Sequence, residues 1–92
     1  DANLLFQAAN YYYSTNRDFK QAIKWLLDAE KLNPQNFHYP NLRQKIASEN
    51  KDYASAIEAA KRAVSLADKE KMKKTIETLN NKIASWELLL KK

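Results

Sequence analysis

The chain has 92 residues, 45% of them apolar and 29% charged, with two prolines, no cysteine and no glycine. Average usage would supply about six glycines. Without them a P-loop and a G-x-G-x-x-G nucleotide loop are excluded, and a tight-turned antiparallel β domain is disfavoured. The net charge is +5, but its signs are interleaved: six basic and four acidic groups stand in residues 1–46, ten and seven in 47–92. That describes a solvated helix surface better than a nucleic-acid footprint.

The length suits one domain with a single core. No stretch approaches the ~18 apolar residues of a membrane span, and no signal-peptide core is visible. The chain begins at Asp1 and its only methionine is Met72, as expected of a processed chain or a piece of a longer one. A cysteine-free chain forms no disulfide and no thiolate metal site, and it suits the cytoplasm and the bacterial periplasm alike.

The first predicted helix covers 3–16, where Phe6, Ala9 and Tyr13 recur at i, i+3 and i+7. The second covers 19–33, with a stripe of Phe19, Ala22, Ile23, Leu26, Ala29 and Leu32. It stops at Asn33, because the residue before a proline is pushed out of the helical region. Phe37-His38-Tyr39-Pro40 reads as an aromatic loop, after which Leu42 and Ile46 give a third helix its apolar edge. The fourth helix, 53–67, repeats the second with Tyr53, Ala56, Ile57, Ala60, Ala63 and Leu66. Asp18 and Asp52 precede the second and fourth helices and suit the capping of free backbone N–H groups. From 69 to 91, Met72, Ile76, Leu79, Ile83, Trp86 and Leu90 alternate in steps of four and three. That long stripe suits either a capping helix or a coiled-coil seam.

Sliding the chain by 34 residues aligns Ser14 with Ser48, Asn16 with Asn50, Asp18 with Asp52 and Ala22 with Ala56, then Ile23 with Ile57, Ala29 with Ala63 and Leu32 with Leu66. Arg17 with Lys51 and Phe19 with Tyr53 are conservative pairs. A gapless repeat of this length is one supersecondary unit stacked on the next.

This unit resembles the tetratricopeptide repeat. In the pattern W-x-x-L-G-x-x-Y…A-x-x-x-F-x-x-A…P, Phe6, Ala9, Asn10 and Tyr13 take first-helix positions, and Ala22, Leu26, Ala29 and Pro34 take those of the second. The second unit matches at Ala56, Ala60 and Ala63, with Tyr53 at an aromatic position. Its first helix departs from the pattern at Arg43, Gln44 and Ala47. The segment Tyr39–Leu42 (Y-x-x-L), with K-I-A-S-W at 82–86, is also similar to helical tails of uncharacterised bacterial envelope proteins. The resemblance implies an all-α superhelix over 1–92: repeat 1 at 3–36, repeat 2 at 37–68 and a capping helix at 69–91. The family usually has glycine in the helix-to-helix turn, where this chain has Arg17 and Lys51. Each turn is therefore expected to close through a left-handed residue, Asn16 and Asn50 or the basic residue after each.

The inner face that the family uses for binding would hold Gln7, Tyr11 and Ser14 from the first helix, and Asn41, Lys45 and Ser48 from the third. Lys74 and Asn81 of the last helix would join them. Tyr11 and Tyr12 have two readings, as groove residues or as packing against a neighbouring element. Members that clamp chaperone C-termini use lysine and asparagine where this chain has Gln7 and Tyr11, and a further asparagine where it has Leu42. That activity is disfavoured.

Chemistry for catalysis is missing. His38 is the only histidine, too little for a zinc site without thiols, and no serine has an evident base. Acidic residues read as i, i+4 partners of lysines, Glu70 with Lys74 for example. The expectation is no enzyme, no cofactor, no metal and no small-molecule substrate. Instead the chain reads as an interaction module for a protein or peptide, a monomer or weak homodimer. A structural or self-associating appendage of a larger protein, an exported bacterial one among the options, is the alternative. Weak nucleic-acid binding through Lys71, Lys73 and Lys74 is the second.

Overall fold

The structure is a computed structural model describing residues 1–92. The all-α class expected from the composition is what it contains: α1 (Ala2–Ser14), α2 (Phe19–Leu32), α3 (His38–Glu49), α4 (Tyr53–Leu66) and α5 (Lys73–Leu90). Each helix packs on its neighbours in sequence, and α1 also touches α3, while the backbones of α3 and α5 stay more than 8 Å apart. No helix is long and apolar enough to cross a membrane.

Small residues set the spacing of the helices. Ala9, Ala22, Ala29, Ala47, Ala56, Ala59, Ala60 and Ala63 are all buried, which lets neighbouring axes approach at the short end of the usual range. Two apolar clusters result. One joins Ala9, Ala22, Leu26 and Ala29 to Tyr39, Leu42 and Ile46 of α3. The other joins Ala47 of α3 and Ala56, Ile57, Ala60 and Ala63 of α4 to Leu79, Ile83 and Trp86 of α5. Ile23 packs against both, so the two form one continuous interior. Three members of the α5 stripe, Leu79, Ile83 and Trp86, are thus packed on α4 within the chain. Its last member, Leu90, is exposed, as is Leu32 at the end of α2.

The helix ends explain the remaining differences from the sequence-based spans. Asp18 accepts from the backbone N–H of Lys20 and Gln21, and Asp52 from that of Ser55, as expected of N-caps. α3 starts at His38, so His38-Tyr39-Pro40 opens the helix rather than forming a loop. Proline is tolerated there because a first-turn residue has no intrahelical acceptor for an N–H. α5 starts at Lys73 rather than at 69, since Asp68 accepts from the N–H groups of Glu70 and Lys71 and closes a separate turn. Those two bonds hold the Asp68 carboxyl below its ordinary pKa.

Both expected turns contain a left-handed residue, but at different positions. Asn16 has φ 59° and Lys51 has φ 62°, whereas Asn50 has φ −96°. Each turn forms a Schellman motif. Arg17 N–H bonds to the Tyr12 carbonyl at 2.8 Å, and Asp52 N–H to the Ala47 carbonyl at 2.9 Å. Asn50 serves the second turn differently, its Nδ2 donating to the Ile46 carbonyl at 2.8 Å.

A left-handed conformation costs a side-chain-bearing residue about 1–2 kcal/mol, and asparagine less than lysine. After glycine's entropic cost, Lys51→Gly is expected to raise unfolding free energy by about 1 kcal/mol. Asn16→Gly should raise it by less than half that. Urea denaturation of the two variants checks the order; equal effects would mean that asparagine gains nothing from its local hydrogen bonding.

Candidate functional site

The candidate site is built on α3, and a buried cation sets where α3 lies. Arg43 has a side chain only 4% exposed. Its Nε and Nη2 donate to Glu30 of α2 at 2.7 and 3.1 Å. Its Nη1 and Nη2 donate to Glu58 of α4 at 2.6 and 3.3 Å. Burial alone would pull the guanidinium pKa down, but hydrogen bonds and charge from Glu58 and Glu30 outweigh it, and the net direction is upward. Arg43 therefore stays charged and ties α3 to both flanking helices, matching two carboxylates with one planar fork.

Next to this anchor, Asn41, Gln44 and Lys45 of α3 look across a groove of about 440 Å³ at α5. From α5 the groove receives Lys74, Thr75, Thr78, Leu79 and Lys82. Three lysines line it, no carboxylate does, and none of the three ammonium groups is in an ion pair. The expected Glu70–Lys74 pair is not formed, because Glu70 lies in the Asp68 turn rather than on the helix. Of the i, i+4 pairs, Lys24–Asp28 is the one that closes, at 3.4 Å.

Gln44 lines this groove while being 1% exposed. Its Nε2 donates to Asn41 Oδ1 at 3.1 Å. Its Oε1 has no partner, the one buried side-chain polar atom in the chain so placed. Native interiors leave few such atoms.

Of the residues expected on the inner face, Asn41, Lys45 and Lys74 come together in this groove. Ser48 lies one turn farther along α3, its Oγ donating to the Lys45 carbonyl. Asn81 lies outside the groove: at about 100° per residue it points roughly 100° away from Lys82. Gln7, Tyr11 and Ser14 are exposed on α1, also outside it. Ser14 Oγ donates to the Asn10 carbonyl at 2.8 Å, and the Arg17 guanidinium sits 5.3 Å from the centre of the Tyr11 ring. Gln44, Thr75, Thr78 and Lys82 were missed from sequence. Thr78 and Lys82 follow Lys74 at i+4 and i+8, so a helical count from Lys74 contained the signal.

The other aromatic and titratable residues are placed structurally. Tyr12 meets Trp25 edge-on with centroids 4.7 Å apart, and Trp86 is buried against α4. His38 is exposed beside Phe37, and nowhere do three His, Cys, Asp or Glu side chains converge. A smaller cleft of about 110 Å³ lies where α1 and α3 end, with Tyr13, Glu49 and Asn50 on its walls. There Tyr13 Oη donates to Glu49 at 2.6 Å, which raises the Tyr13 pKa above its ordinary 10.0; burial and the Glu49 charge push the same way.

Removing Glu30 strands the buried end of Arg43, so Glu30→Ala is expected to cost about 3 kcal/mol, whereas replacing both charges at once, Arg43→Met with Glu30→Leu, costs less than about 1 kcal/mol. Glu58→Ala, at a carboxylate 65% exposed, should cost at most about 1 kcal/mol. Chemical denaturation of the three variants tests that order. The Tyr13 bond has its own signature. Because the folded pKa lies above the unfolded one, its stabilisation is complete below about pH 10 and disappears as pH rises through the folded value. Tyr13→Phe should therefore lose at most about 0.5 kcal/mol at pH 8, given solvent screening, and less at pH 11. Urea melts at the two pH values check this.

Compared with models of known families, with curated proteins and with solved structures, the chain matches none of them.

Proposed function

We propose that this chain is a protein–protein interaction module of the tetratricopeptide type, receiving a peptide or helix of a partner. The observation that carries the reading is the α3–α5 groove: about 440 Å³, within the ~300–1,000 Å³ typical of ligand clefts. The 34-residue sequence repeat adds to it. Support also comes from the packing behind the groove. α4 contacts both α3 and α5, whose backbones stay apart, so one helix holds the two walls.

The stretch of α5 from Lys74 to Lys82 advances about 12 Å. That is the length of roughly four residues of extended peptide at 3.3 Å each. Asn41 and Gln44 would engage the main chain of such a segment, and the lysines its side chains. Tyr11 stands apart as a second anchor on α1, and exposed aromatic residues often dominate interfaces of this kind.

Selection of a random displayed peptide library on the folded chain tests this. Peptides are expected to be enriched whose binding weakens at least tenfold in Lys45→Ala or Lys74→Ala, with melting temperature unchanged. Tyr11→Ala should weaken a longer partner without lowering the melting temperature; equal loss of both would make Tyr11 a packing residue. Failure to enrich any peptide dependent on Asn41, Lys45 or Lys74 would sink the reading.

A further inference from the structure

Resting on the reading of the α3–α5 groove as a peptide site, we infer that its ligand is an internal acidic segment in extended form. The segment's carboxylates lie between Lys45, Lys74 and Lys82, and one of its main-chain N–H groups donates to Gln44 Oε1.

Charge supplies the first reason. Three lysines share one groove with no carboxylate on its walls and no ion pair of their own, although both signs are interleaved along the chain. Like charges held side by side repel, and an anionic ligand converts that repulsion into attraction.

The second reason is independent of charge. Gln44 is buried, yet its Oε1 has no donor, and a buried acceptor left unpaired is destabilising until a ligand supplies one. Turning over the Asn41 and Gln44 amides together would instead free Gln44 Nε2. A peptide main chain carries a partner for either atom, an N–H for the oxygen and a carbonyl for the nitrogen. A phosphodiester backbone carries only acceptors, so a nucleic acid could offer a donor only from its bases. The groove also lacks aromatic residues, its one apolar side chain being Leu79, so bases would find no stacking platform. Acidic peptide is favoured over single-stranded nucleic acid on both counts.

The test uses the full chain and fluorescently labelled octapeptides with blocked termini: one rich in Asp and Glu, one with Asn and Gln in their place, and one rich in Lys. Oligo-dT of matched charge is the fourth probe. The acidic peptide should bind at least tenfold more tightly than its amide counterpart, and more weakly as salt rises. Reversing Lys45, Lys74 and Lys82 to Glu should abolish acidic-peptide binding and create binding of the Lys-rich peptide, with helicity unchanged by circular dichroism. Gln44→Leu should weaken acidic-peptide binding about tenfold, the loss of one hydrogen bond, while the melting temperature holds or rises. A purely structural Gln44 would show the melting change without the binding change, which overturns its assigned role. Equal binding of acidic and amide peptides overturns the acidic ligand but leaves the groove a peptide site. Tighter binding of oligo-dT overturns it in favour of nucleic acid. Binding by the acidic octapeptide with an unblocked C-terminus, the fifth probe, but not by the blocked one overturns the internal segment. No binding of any peptide overturns both this inference and the function on which it rests.

Discussion

Everything in this fold rests on helices meeting through alanine. Eight alanines on α1 to α4 are shut away from solvent, and few large side chains share that position: Leu26, Ile46, Gln44 and Pro40 are the bulkiest fully buried residues. Stability then comes from close backbone approach and many small contacts rather than from a thick apolar centre. A thin interior suits a chain in which each helix mainly contacts its neighbours, the quasi-linear organisation of repeat arrays. It also keeps α3 and α5 apart while α4 carries both, and that separation is the groove.

Arg43 adds register to this plan. Alanine contacts are smooth and discriminate poorly between one sliding position and the next. A buried guanidinium that needs carboxylates from α2 and α4 at once is satisfied in one arrangement only. Such an ion pair adds little net stability, since desolvation offsets much of its attraction. Its contribution is to hold Asn41, Gln44 and Lys45 at a fixed height opposite α5. Packing determines that the helices associate, and the ion triad determines where.

Much of the fold was legible in the residues themselves, because spacing at three and four reports a helix face directly. The stripes of α2 and α4 and the aspartate caps needed no tertiary knowledge. Arg43 and Gln44 were harder. By position they look like departures from the repeat, and only the approach of Glu30 and Glu58, distant in sequence, turns an arginine into a core residue. The α5 wall of the groove was legible only at Lys74, for a related reason. The family's inner face was expected to include Asn81, whereas the rotation of α5 is set by Leu79, Ile83 and Trp86 finding Ala56, Ala60 and Ala63 of α4. That choice of packing turns Thr78 and Lys82 inward.

The two left-handed turns show what the repeat keeps and what it lets drift. Asp18 and Asp52 keep the 34-residue spacing. Yet α1 ends at Ser14 while α3 runs to Glu49, one residue beyond the equivalent point. The second connection is shorter by that same residue, and the left-handed position moves from Asn16 to Lys51. Helix and connection have exchanged one residue without altering the distance between caps. The joint is therefore a sliding one, and such a repeat can change the shape of its corners without losing step with its neighbours.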